Sequence, residues 1–229
     1  MASIVDILTL AEGGGTLDVI AITDHDEIRG SLEAREMAAR RGYHLQVVPG
    51  IEVTTNEGHL LALFMEHPVA RLQPLEHTIE AIHEQGGLCI VPHPMSWLTE
   101  SIGLQGMERI MSSPDDAIYF DGIEVVNATL AGRVCNGKAH KFRERYHLAA
   151  TGGSDAHFLT AVGSGLTLFP GHSAQDLRQA LVQATTQACN GKKVPFSDIG
   201  LTQLVRQQIK SRGFSLRNIV KNMVREITQ

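Results

Sequence analysis

Apolar and polar positions along this chain follow two alternating rhythms. Near the start, Ile4, Ile7, Leu8 and Ala11 recur at helical spacing between Ser3 and the triple glycine 13–15, which predicts a helix over 4–12. Short apolar runs closed by turn residues then predict strands over 19–22, 45–48, 51–54, 60–64, 88–91, 123–126, 149–151 and 165–169. Pro49-Gly50 reads as a break between the second and third of these. Helices are predicted over 30–41, with Gly42 as its stop, and over 75–84, 107–111, 138–146 and 174–184. Residues 95–117 are otherwise irregular and should form a long loop over the strand ends.

The β/α alternation predicts an α/β protein. Residues 1–190 form its main domain, and 191–229 a helical extension: a linker over 191–200 followed by basic amphipathic helices at 201–210 and 216–227. That pair reads as a packing or oligomer element.

Composition narrows the class without changing the picture. The 229 residues are 43% hydrophobic, enough for a full core, and carry a net charge of -5 with no broad basic stripe of the kind that neutralises phosphates. Nucleic acid is therefore not indicated by charge. Three cysteines without C-x-x-C spacing argue against a disulfide framework or zinc ribbon and for a cytoplasmic setting. No run is long enough to span a bilayer, and we read no targeting signal. Gly13 to Gly15 lacks the Lys-Ser/Thr of a phosphate loop, and no serine sits in a nucleophile elbow.

The candidate chemistry lies at strand ends. Asp24, His25 and Asp26 follow the strand at 19–22, Glu52 lies in GIEV, His59 precedes LLALF, His93 lies in VPHP, and Asp155 and His157 lie in GGSDAH. In a (β/α) barrel such positions converge on one rim. One histidine alone would mean little, but buried carboxylates at several equivalent places are costly unless a cation or hydrogen bonds compensate them. Mixed imidazole and carboxylate ligation suits Zn, Mn or Fe, and a carboxylate such as Glu52 can bridge two ions in metal-assisted hydrolysis of phosphate esters. His44, His77, His83, His140, His147 and His172 are expected on exposed surfaces, and His67 near the rim.

TDHD at 23–26, PGIEVT at 49–54, GHLLAL at 58–63, VPHP at 91–94 and GGSDAH at 152–157 resemble, in order, the motifs of the PHP (polymerase and histidinol phosphatase) superfamily. The resemblance implies a distorted (β/α)7 TIM-like barrel that binds two or three divalent metals and acts on phosphate esters. It implies that His25 and His157 hold one metal, that Glu52 bridges, that His59 and His93 complete a second site and that Asp155 serves the remaining one. Asp24 and Asp26 are the candidate catalytic carboxylates, orienting ligands or holding the loop. Arg29, Asn127, Arg133 and Lys138 are candidates to reach a substrate phosphate.

The family pattern also opens with a strand carrying His-x-His, followed by a segment like S-D-G, and neither occurs here. The expectation is thus a barrel with its first strand missing from this chain and fewer metals bound, either because the chain starts at an internal methionine or because it is a weakened relative. The expected activity is metal-dependent hydrolysis of a small phosphomonoester, nucleotide or short oligonucleotide. The alternatives are a non-catalytic metal or phosphate-binding module with a regulatory or accessory role, and related C–N hydrolysis on a metallo-barrel.

Overall fold

Ser3 Oγ accepts the backbone N–H of Asp6 while the Asp6 carboxylate accepts that of Ser3, and this reciprocal cap starts α1 (Ile4–Gly13). The structure, a computed structural model, describes residues 3–192. The helices expected at 201–210 and 216–227, and all but the first two residues of the expected extension, lie outside the described residues.

Six strands form one sheet in chain order: β1 (Val19–Ile22), β2 (Gln46–Thr54), β3 (His59–Leu63), β4 (Leu88–Val91), β5 (Gly122–Asn127) and β6 (Ala149–Gly153). The sheet curls into a half-barrel. A separate antiparallel pair, β7 (Gly165–Leu168) and β8 (Gln187–Asn190), follows. The helices are α2 (Arg29–Arg41), α3 (Leu75–Glu84), α4 (Leu104–Met111), α5 (Leu130–Arg133), α6 (Asn136–Tyr146) and α7 (Ala174–Val182). α2 ends where Gly42 turns left-handed (φ 66°) and donates its N–H to Ala38 and Ala39.

Strand direction decides where the chemistry goes. β1 runs parallel to β2, and β4, β5 and β6 run parallel to one another, but β3 is antiparallel to both β2 and β4. The C-terminal ends of the five parallel strands therefore share an edge with the N-terminal end of β3. That is why a histidine at the start of its strand, His59, reaches the same rim as residues at the ends of the others.

Two expectations are corrected here. Pro49-Gly50 does not break the chain into two strands: β2 is continuous, because the Gly50 N–H is taken by Ser31 Oγ from α2 and the Gly50 carbonyl accepts that hydroxyl in turn. The strand over 165–169 is also not the last, since Gln187–Asn190 pairs with it.

The core has a main cluster under β2 to β5, built from residues such as Ile51, Val53, Leu60, Ile79, Ile82, Val91, Met107 and Phe120, with α3, α4 and α6 packed against it. α1 and α2 close the β1 side with Leu8, Ala34, Ala38 and Val47. β4 and β5 are buried along their whole length, as strands covered on both faces must be. Among the described residues, no helix is long and apolar enough to cross a membrane.

Candidate metal centre

Beyond β1 the chain continues alongside β2, so that His25 makes an isolated parallel bridge to Glu52. The Glu52 N–H donates to the Asp24 carbonyl at 3.2 Å, and the Asp26 N–H to the Glu52 carbonyl at 3.0 Å. Glu52 and Thr54 share one face of β2, and Thr54 is the cross-strand partner of His59. The hairpin thus folds the His59 ring back onto the Glu52 carboxylate. β4 delivers His93, and the turn after β6 delivers Asp155 and His157.

These residues meet. His59 Nδ1 lies 3.0 Å and His93 Nε2 3.1 Å from Glu52 Oε1, and His25 Nε2 lies 3.7 Å from Oε2 of the same carboxylate. The His25 ring is 4.8 Å from that of His59 and 6.5 Å from that of His157, and the His59 and His93 rings are 5.6 Å apart. Asp155 Oδ1 is 3.5 Å from His157 Nδ1. Asp26, His93 and Asp155 all have positive φ, of 54°, 30° and 45°. Backbone strain of this kind costs about 1–3 kcal/mol per residue and is held in place by surrounding structure, most often at functional sites.

The electrostatics follow from burial and proximity. Burial alone would raise the pKa of Glu52, but His59 and His93 outweigh it and hold the carboxyl well below the usual range. Burial would depress His93, yet Glu52 first, then Asp155 and Glu124, push it up to about 9. Asp155 is raised by burial and by the charge of Glu52. Beneath them Glu124 is raised to about 7, chiefly by burial.

A cation fits this donor set. One ligand atom each from His25, Glu52 and His59 lie within 4.8 Å of one another. His59 Nδ1 and Glu100 Oε1 are buried without a hydrogen-bond partner, although His59 Nδ1 is within 3.0 Å of Glu52. Buried polar atoms are rarely left so, and here they face carboxylate and imidazole groups that a divalent ion would pair. Among the described residues, His83, Cys89 and Asp121 make a second such group. That group is already satisfied: the His83 ring bridges the Ala117 carbonyl at 2.9 Å and Asp121 Oδ2 at 3.0 Å, and Asp121 accepts the Cys89 N–H at 2.7 Å. It borders a cavity of about 510 Å³ at the opposite, N-terminal end of β4 and β5. His83, expected to be exposed, is thus partly buried and paired.

The remaining candidates differ in their surroundings. Asp26 Oδ1 accepts the Thr54 N–H at 2.8 Å and Oδ2 faces Arg71 at 3.7 Å, so this carboxylate pins the loop to β2. Asp24 is exposed and lies against the start of α2, where a Cβ on Gly30 would meet its Oδ2 at 2.7 Å. Both carboxylates thus flank His25, Asp26 bonded to β2 and Asp24 exposed. Arg29 is largely exposed and pairs with Glu27 at 2.6 Å. Asn127 is buried, with its amide donating to Glu124 Oε2 at 2.7 Å, and its side chain also hydrogen-bonds Asp155. Arg133 and Lys138 are exposed, and so is His67.

Three residues of the site escaped the sequence reading. Glu124 Oε2 accepts the His93 N–H at 2.7 Å and sets the turn that aims its ring. Ser101 Oγ lies 3.0 Å from His93 Nδ1 and donates to the His93 carbonyl at 2.8 Å, which fixes the ring orientation. Glu100 Oε2 stands 3.7 Å from His59 Nε2. The signal for Glu124 was a single charge inside the apolar run IEVV; Glu100 and Ser101 carry none.

Comparison with known proteins agrees with this architecture. A family model described as PHP-associated matches residues 135–186, the stretch holding Asp155 and His157. Uncharacterized protein MJ1587 of Methanocaldococcus jannaschii is 39% identical over 123 residues, covering 54% of this chain and 65% of its own length. The chain thus spans under two thirds of that relative. A two-domain Bacteroides vulgatus protein containing a predicted PHP-like metal-dependent phosphoesterase superposes with a TM-score of 0.60 at 21% identity, over 81% of this chain and 60% of that one. Endonuclease Q, in complex with a 27-mer duplex substrate carrying an abasic lesion, shares the fold with a TM-score of 0.51 at 13% identity, over 78% of this chain and 51% of that one. The PHP-associated match over 135–186 and the fold shared with solved PHP-like proteins both support a PHP superfamily member.

Proposed function

We propose that this chain is a metal-dependent hydrolase of phosphate esters, its substrate a small phosphomonoester, a nucleotide or a short oligonucleotide. The observation that carries this reading is Glu52, one buried carboxylate within 3.0–3.7 Å of three imidazoles. His25, Glu52, His59, His93, Asp155 and His157 are the ligands in this reading, for zinc, manganese or iron, which share such donors. The sheet is read as part of a distorted (β/α)7 barrel. Solved proteins of similar fold, one containing a predicted PHP-like metal-dependent phosphoesterase and the other Endonuclease Q, support the reaction class.

A divalent ion held there would supply positive charge to the phosphoryl oxygens and lower the pKa of a water toward about 7. The protein's own share is positional. Glu52 orients three rings at once, Ser101 and Glu124 fix His93 from ring and backbone, and Asn127 fixes Glu124. Asp155, raised by burial and by the charge of Glu52, is one of the ligands in this reading, and its hydrogen bond with Asn127 helps to hold it in place.

The test is metal content by mass spectrometry together with phosphate release from a panel of mono- and diesters. His25→Ala and Glu52→Ala should each lower metal content and abolish release, whereas His147→Ala should change neither. Equal effects at all three positions would sink the ligand assignment, and a metal-loaded chain that hydrolyses no ester would sink the activity.

A further inference from the structure

The chain has one tryptophan, and it is 76% exposed on the loop that follows His93. An exposed leucine is ordinary on a protein surface. The largest apolar side chain of the molecule, held out into solvent by an ordered loop, is not. Trp97 lies on the segment between His93 and Glu100, both of which face the cluster. Four residues of chain reach at most about 14 Å, which bounds the distance from the His93 backbone to that of Trp97.

The loop is fixed from several directions. The Met95 N–H donates to the Ile102 carbonyl at 3.0 Å and closes its base, while Ser101 ties to His93. Ser96 Oγ donates to the Ala131 carbonyl at 2.6 Å and accepts the Leu98 N–H at 3.2 Å, anchoring Trp97 from both sides. The same Ser96 bond joins the loop to α5, on and just after which Leu130, Arg133 and Val134 are all exposed. Arg133 pairs with none of the described carboxylates. The loop after His93 and α5, joined by the Ser96 bond, therefore carry an exposed aromatic ring, exposed apolar side chains and a cation without a described carboxylate partner.

From this juxtaposition we infer that Trp97 is the stacking platform for an unpaired base of a single-stranded nucleic acid, with Arg133 meeting the phosphate beside that base. The inference rests on the phosphoesterase reading above and names its substrate class. An aromatic face tolerates any base and a guanidinium any phosphate, so recognition here depends on single-strandedness more than on sequence. A small phosphomonoester without a base would gain nothing from Trp97.

Because Trp97 is the sole tryptophan, its fluorescence reports the contact directly. With the metal-loaded protein, a short oligothymidylate should quench the emission saturably, and a base-free oligomer of the same length and charge should quench at least about 5-fold more weakly. Trp97→Ala should weaken oligothymidylate binding, followed by anisotropy of a labelled strand, by about 5- to 150-fold, the range that base stacking supplies. Trp97→Phe should restore most of it. Hydrolysis of ribose 5-phosphate should be the same in all three proteins. Equal quenching by the base-bearing and base-free oligomers would overturn the inference, as would full affinity in Trp97→Ala. A concentration-dependent blue shift of the emission without nucleic acid would instead assign the platform to a second copy of this chain. Failure of the phosphoesterase reading would show separately, as no hydrolysis of ribose 5-phosphate or oligothymidylate by the metal-loaded protein.

Discussion

Replacing Glu52 by glutamine keeps the shape of the side chain and removes one buried charge from among three imidazoles. In protein stripped of metal, His93 owes its elevation to about 9 first to Glu52, against a burial that alone would push it below its ordinary 6.5. A rise from 6.5 to about 9 is worth about 3 kcal/mol at 1.36 kcal/mol per unit, and His93 is only 3% exposed, so solvent screens little of it. The sign follows from a folded pKa raised above the unfolded one. The contribution is complete below pH 6.5 and is lost as pH rises through 9. We expect the metal-free wild type to lose about 3 kcal/mol from this group between pH 6 and pH 9.5 in urea unfolding. Glu52→Gln should lose far less over the same range, and its His93 resonance should titrate below 6.5 in an NMR series. A His93 that still titrates near 9 in Glu52→Gln, or an unchanged pH dependence of unfolding, would refute the network as described.

Two further outcomes follow from the same geometry. Glu124, raised to about 7 by burial, is an acid whose folded pKa exceeds its unfolded one, so its charge destabilises the metal-free fold increasingly as pH rises from about 4.5 through 7. Glu124→Gln should therefore flatten that part of the curve, while Glu124→Ala should cost about 1–3 kcal/mol at any pH by leaving the His93 N–H and Asn127 amide without their acceptor. Gly58 has a φ of 138°, and a Cβ there would run into the Ser101–Ile102 backbone. Gly58→Ala should destabilise the fold measurably by thermal unfolding and weaken metal retention, because it pushes away the loop that orients His93; unchanged metal content would show that Ser101 does not set the ring.

Most elements could be read from the chain because their signals are local. The cap at Ser3 and the stop at Gly42 need only their own backbone, and the apolar runs of β4 and β5 announce buried strands by composition. Five of the six clustered residues follow or open a strand, where a polar group in apolar surroundings stands out, and Glu52 lies inside β2 as a lone charge in the apolar run GIEV. β8 could not be read because QACN has no pattern of its own and is a strand only by pairing with β7. β2 looked interrupted because the hydroxyl of Ser31 that satisfies Gly50 lies 19 residues away.

What the sequence determined by itself is therefore the inventory: an α/β chain whose histidines and carboxylates sit at strand ends, in an order that resembles the PHP superfamily. Only the tertiary structure decided how they are used. The reversed direction of β3 brings His59 onto Glu52, and the burial of Glu124 turns a strand residue into the support of His93. Asp26 beside His25 ties the loop to β2, and Trp97 is left in solvent on the loop after His93. Each of these depends on which group lies across a strand or under a loop, and such neighbours are fixed by packing between distant segments that no local pattern encodes.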